Sequence, residues 1–246
     1  MPPSRLQPRG LTMHDPLGPD APRGSGRWTW LFDALRLRPV GRRSLSAVSL
    51  VAFLAGAGLF VYPFTTDVYA TQTLQPRLEA EFESVEFRQQ FLTQQVAAGD
   101  PLTKIVIAQI GLESLVVEGT SPAALRAGAG HYPTTPMPGA AGNVAIAGHR
   151  TTFGKPFNRI DELAPGAQII LETPLTTYTY TVVPAPSDVR SRCPSGACWV
   201  TSPTDWAVVG PTDGAMLTLT TCHPKGSARQ RLILRAELTS SVDKPL

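Results

Sequence analysis

Thr218-Leu219-Thr220-Thr221-Cys222 closes an alternating apolar/Thr run with a thiol, just where a loop begins. The alternation reads as a β-strand, and a cysteine at its end is a candidate nucleophile. Upstream, Asn143-Val-Ala-Ile-Ala-Gly148 leads into His149 and Arg150. Downstream, Arg229-Gln230-Arg231 opens the strand-like Leu232-Ile233-Leu234. Sulfur, imidazole and guanidinium thus each sit at the edge of an expected strand, where a barrel can gather distant residues around one reacting carbonyl.

The surrounding pattern is mainly β. Segments 104–110, 112–117, 143–147, 168–172, 178–183, 216–221 and 231–238 are short, rich in Val, Ile, Thr and Tyr, and bounded by Gly, Pro or Asp. Such a series indicates a closed barrel or a sandwich. Short helices are expected from Ser121-Pro122 and over 156–163. The 246 residues, 42% of them hydrophobic, suffice for one core.

Ahead of this domain the chain changes character. Residues 1–43 hold eight arginines against three aspartates, whereas the remainder carries 14 basic and 16 acidic residues. A slightly acidic body has no electrostatic footprint for nucleic acid. The first thirty residues, rich in Pro, Gly and Arg, lack hydrophobic periodicity, and disorder is expected there. Ala47 to Tyr62 is uncharged, and with its flanks approaches the ~20 residues that cross a bilayer. Arg36, Arg38, Arg42 and Arg43 precede it and Asp67 follows, so the N-terminus is expected in the cytoplasm and the body outside, on a single-pass cell-membrane anchor. A cleaved signal peptide is the competing reading, disfavoured by the long tail before it. Between anchor and β-domain, Leu78, Phe82, Val85 and Phe91 share roughly one helical face, giving a stalk or a helix packed on the domain; Gly99-Asp100-Pro101 stops it. The expected divisions are a basic tail (1–43), anchor (44–66), helical stalk or linker (67–100), β-domain (101–240) and C-terminal tail (241–246).

Three cysteines are present. Cys193 and Cys198 are close enough in sequence for a small-loop disulfide in an oxidising exterior, which leaves Cys222 unpaired. A buried core thiol is the ordinary alternative for such a cysteine. Of the four histidines, His14 lies in the tail, His131 in an expected loop, and His223 next to Cys222, where strand alternation turns it to the opposite face. His149 is the favoured acid/base partner. Arg231 could support an oxyanion, with Arg229 and Arg235 as competitors. Glu113, Glu118 and Asp188 are scattered, and no metal site or cofactor is assigned.

These residues resemble the sortases, membrane-anchored cysteine transpeptidases of Gram-positive bacteria. TLTTC at 218–222 looks like the family's TLxTC motif. GHYPTTPMPG (130–139), GNVAIAGHRTTFGKPFNRIDEL (142–163) and PGAQIILE (165–172) look most like class E sortases of actinobacteria. The resemblance covers roughly residues 102–238 and the uncleaved anchor. It implies a closed eight-stranded β-barrel with short helices, preceded by one transmembrane helix. It further implies that Cys222 cleaves an LPxTG-like or LAxTG-like sorting signal of a surface protein between Thr and Gly through a thioester. His149 would serve as acid and base, Arg231 as oxyanion support, and Thr221 as a substrate-binding residue. The acceptor amine would come from a cell-wall precursor such as lipid II or from a pilin lysine. His223-Pro224 and the Cys193/Cys198 loop depart from the family's pattern and bear on substrate preference. The contrasting reading is a catalytically silent, membrane-anchored surface β-domain that binds a peptide or glycan.

Overall fold

The computed structural model describes residues 39–245, so most of the expected disordered tail lies outside the described residues. Helix α1, Pro39–Tyr69, starts inside the stretch assigned to that tail. Its Val48, Leu50, Val51, Phe53 and Leu54 are exposed, as are Leu59 to Tyr62 and Phe64. From Ser46 the helical run is long and apolar enough to cross a membrane. The chain divides after Gly58 into two compact units, and the unit from Leu59 onward contains the β-domain.

Within that unit α1 passes through a π-helical turn, Ala70–Leu74, into α2 (Gln75–Phe82) and α3 (Val85–Leu92). Ser84 caps α3 by accepting from the Phe87 amide. The strands are β1 (Pro101–Ile107), β2 (Leu112–Glu118), β3 (Ala129–His131), β4 (Gly142–Ala147), β5 (Gln168–Glu172), β6 (Thr176–Val182), β7 (Cys198–Thr201), β8 (Ala215–His223) and β9 (Gln230–Asp243). A short helix α4, Pro122–Ala127, has Ser121 as its N-cap and Pro122 in its first turn. A single 3-10 turn, Ile160–Glu162, stands where the second short helix was expected.

Eight strands close the barrel in the order β6-β5-β1-β2-β3-β4-β8-β9, and β9 returns to β6. Closure leaves no free edge in the ring. β9 achieves it by carrying β8 on one edge, and on the other β7 along residues 231–234 and β6 along 236–243. The strand runs to Asp243, beyond the expected boundary at 240, because Ser241, Val242 and Asp243 pair with Tyr178, Thr177 and Thr176. β3 and β7 were not expected from the sequence. Ala-Gly-His has no strand propensity, and β7 is four residues long behind the Cys193/Cys198 loop.

Period-two alternation sorts the strands into two faces. Val144, Ile146, Leu217, Leu219, Leu232, Leu234 and Ala236 belong to the interior core with Ile105, Ile107, Ile169, Leu171 and Tyr180. Ala145, Ala147, Thr218, Thr220, Cys222 and Arg231 therefore lie on the opposite, outer face. A second cluster joins Leu78, Phe82 and Phe87 to Leu115, Val117 and Ala124. The helices after the apolar span are thus packed on the barrel.

Gln75 bolts that packing in place. Its Oε1 accepts from the Leu115 amide at 2.7 Å and the Ser114 hydroxyl at 3.2 Å, and its Nε2 donates to the Ala127 carbonyl at 2.6 Å. These groups flank the stretch of β2 just before its pairing with β3 begins at Val116. Gln75→Ala is expected to leave the Leu115 amide unpaired and destabilise the domain by about 1–3 kcal/mol, read as a lower midpoint in denaturant titration with an unchanged slope.

Candidate active site

β4 and β8 are parallel neighbours in continuous register, from Gly142 opposite Ala215 to Ala147 opposite Thr220. The pairing continues past the end of β4. The Gly148 amide donates to the Thr220 carbonyl at 3.0 Å, and the Thr221 hydroxyl donates to the Gly148 carbonyl at 2.7 Å. Two residues beyond the last pair, on adjacent strands about 4.8 Å apart, stand His149 and Cys222. Across the antiparallel β8–β9 ladder, Cys222 is the direct partner of Arg231. The site therefore forms on the outer face of the barrel, at the ends of three consecutive strands.

Cys222, His149 and Arg231 line one cavity of about 330 Å³ together with Tyr132, Trp206 and Leu125. All three are partly exposed. The Cys222 thiol is free, because Cys193 and Cys198 are joined in a disulfide with Cα atoms 5.4 Å apart. Arg231 Nη1 donates to the carbonyls of Ala228 at 3.1 Å and Gln230 at 3.2 Å, which hold the guanidinium at the cavity rim. Thr221 lines the same cavity with its hydroxyl committed to Gly148.

The glycine before His149 is dictated by packing. A Cβ on Gly148 would meet the Phe157 ring at 2.5 Å, and that ring is fully buried. The Phe157 amide in turn donates to the His149 carbonyl at 3.1 Å. Burial lowers the His149 pKa below its ordinary value.

Among the described residues, the competing histidines and arginines do not line this cavity. His223 accepts from Arg150 Nη1 at 3.0 Å through Nδ1, away from the cavity. His131, expected in a loop, sits in β3. It is buried against Glu118 at 2.8 Å, with the Pro136 carbonyl and the Thr135 hydroxyl on its other nitrogen. Arg235 donates to Thr218 and the Val208 carbonyl and stacks over Trp199 at 5.5 Å. Arg229 is exposed, and His14 lies outside the described residues. No group of three or more His, Cys, Asp and Glu side chains suited to a metal ion occurs among the described residues.

Arg150, Tyr132 and Trp206 escaped the sequence reading. Arg150 is buried beside His149, and Nη1 reaches the Cys222 carbonyl at 3.3 Å while Nη2 pairs with Asp161 at 2.9 Å. Its position directly after His149 was the available signal. The Tyr132 hydroxyl bonds that of Thr220 at 3.1 Å. Trp206, 68% exposed at the cavity wall, opens a 3-10 turn between β7 and β8, and a lone tryptophan in the polar run 201–206 was its signal.

A nucleophilic sulfur, a titratable imidazole and a fixed positive charge at one groove can attack a carbonyl, move a proton and hold an oxyanion. Fold and groove together define a closed-barrel protein with a cysteine, histidine and arginine rim on its outer face. Residues 105–239 match the family model described as Sortase domain, and the chain belongs to the sortase family. It is 36% identical over 118 residues to Sortase SrtE1 of Streptomyces coelicolor, covering 43% of this chain and 30% of that protein. It is 34% identical over 140 residues to Sortase SrtE2 of the same organism, covering 52% and 53%. The chain thus spans about half or less of the length of these relatives. The solved structure of Sortase E1 from Streptomyces coelicolor with tripeptide in the active site matches with a TM-score of 0.52 and 29% identity, over 61% of this chain and 97% of that one.

Burial lowers His149, and burial with the Arg150 charge lowers His223, below 6.5. Between those lowered values and about pH 6.5 the unfolded chain binds more protons than the folded one, so stability rises with pH across that window. The melting temperature is expected to fall on acidification from about pH 7 to about pH 5, and His149→Gln to flatten that loss when melts are recorded across the series.

Proposed function

We propose that this chain is a membrane-anchored cysteine transpeptidase acting on LPxTG-like or LAxTG-like sorting signals of surface proteins. The observation that carries the reading is the meeting of Cys222, His149 and Arg231 in one cavity, from positions far apart in sequence. The Cys222 thiol gives its proton to His149 as its sulfur attacks the Thr–Gly carbonyl, and the developing oxyanion is met by the Arg231 guanidinium. As the tetrahedral intermediate collapses, His149 protonates the departing glycine amine, leaving a thioester on Cys222. An acceptor amine, from a cell-wall precursor such as lipid II or a pilin lysine, then attacks the thioester while His149 takes its proton. The thioester keeps the acyl group activated, and an amine held in the groove competes with water through its effective concentration.

The lowered pKa of His149 favours the second half of the cycle over the first. The neutral ring is available to the incoming amine at neutral pH, while the acid form needed for the first half is lost as pH rises through the lowered value. In this reading residues 1–43 form the cytoplasmic tail, 44–66 the anchor and 101–240 the catalytic barrel. The arginine-rich side of the span stays inside, and the groove works outside. Thr221 acts by fixing the β4 end against β8, and the Cys193–Cys198 loop bears on signal preference.

The test uses the full chain in detergent micelles with an LPxTG or LAxTG peptide and an added amine. Cleavage between Thr and Gly, amine-dependent product and a peptide adduct on Cys222 by mass spectrometry are expected. Cys222→Ala should lower turnover by at least about 10³-fold with an unchanged melting temperature. Peptide binding without adduct or cleavage would refute the transpeptidase reading, and activity retained in Cys222→Ala would refute the assigned nucleophile.

A further inference from the structure

We infer that Asp67, the acidic residue that follows the apolar span, is a positioning residue for His149, so that the end of the anchor helix forms part of the active site. The inference rests on the role proposed above for His149. Asp67 Oδ1 accepts from the Gly154 amide at 3.0 Å, and Oδ2 pairs with Lys155 Nζ at 2.6 Å. Its side chain is 17% exposed, so this is a half-sheltered contact rather than a solvated surface pair.

The segment it grips is the loop that leaves His149. Phe153, Gly154 and Lys155 all have positive φ, at 52°, 75° and 41°. For Phe153 and Lys155 that conformation is strained and persists where the surroundings impose it. Asp67 supplies such a restraint from outside the loop, and a Cβ on Gly154 would lie 3.5 Å from the Thr71 methyl and 3.8 Å from the Ala70 methyl. The strained conformation delivers the Phe153 ring to His149, with centroids 5.1 Å apart and planes inclined by 42°. A chain of contacts therefore runs from the helix carboxylate through the loop backbone to the imidazole.

The π turn explains how the helix does this while also docking on β2. On a regular α-helix, Asp67 and Gln75 would be about 80° out of phase. The wider Ala70–Leu74 turn winds less per residue, which brings both toward the barrel-facing side. Asp67 then grips the His149 loop and Gln75 the β2 backbone.

The test compares wild type, Asp67→Asn and Asp67→Ala as full chains in detergent micelles. Asp67→Ala is expected to lower kcat by between about 10-fold and 100-fold while KM for the sorting peptide stays within about twofold. Asp67→Asn, whose amide oxygen still accepts from Gly154, should recover part of the loss. In chains labelled at histidine, the His149 ring resonances should shift in Asp67→Ala as the Phe153 ring current is withdrawn, at a temperature well below the melting transition of either chain. Wild-type kcat and unshifted His149 resonances in Asp67→Ala would overturn the inference, as would a kcat loss that only tracks a fall in melting temperature. If the wild-type chain leaves the peptide intact, the transpeptidase reading fails, and the His149 resonances still decide whether Asp67 sets the ring.

Discussion

The parallel pairing of β4 with β8 is the constraint on which the groove depends. Parallel neighbours cannot be joined by a tight turn, and here the connection includes β5, β6, β7 and the disulfide loop. The loop-closure entropy of bringing β4 and β8 together is offset by apolar burial inside the barrel, where Val144, Ile146, Leu217 and Leu219 share one core. Register follows from that burial, because a slip of one residue would turn Leu217 and Leu219 outward and Cys222 into the core. The same alternation that fills the interior thus presents the thiol on the outer face.

Around this pair the protein spends much of its polar chemistry on holding two strand ends level. Thr221 ties to Gly148, the Phe157 ring closes over Gly148, and Arg150 reaches from the residue after His149 to the Cys222 carbonyl and the His223 ring. A buried guanidinium with several acceptors is a rigid strut, since its planar fork fixes donor directions. Arg231 differs. It sits partly exposed with its charge at the rim of the cavity.

The helix after the apolar span is integrated into this scaffold. Its apolar face packs on β2 and α4, and among its polar contacts Asp67 and Gln75 reach the His149 loop and the β2 backbone. The helical residues from Leu59 onward therefore hold fixed contacts with the His149 loop and β2, in contrast to a flexible linker. The sortase family, the closed barrel and the candidate span agree with a domain built to work beside a membrane.

Much of this was legible in the chain itself. Seven of the nine strands announced themselves through β-branched alternation. The apolar span announced itself through the absence of charge from Ala47 to Tyr62, and Cys222 and His149 stood out as candidates through their places at strand edges. Local patterns carry such information because period and composition are set by which face of an element is buried. The sequence could not separate Arg231 from Arg229 and Arg235, foresee β3 and β7, or reveal the contacts of Arg150, Trp206 and Asp67. Each of those depends on a neighbour remote along the chain: β9 beside β8 sets Arg231 opposite Cys222, β2 and β4 turn Ala-Gly-His into a strand, and a π turn aims Asp67. One-dimensional pattern determined the elements and the reactive residue types, whereas partnership, register and the restraint on His149 were decided by three-dimensional packing, because only there do residues from separate segments come within bonding distance.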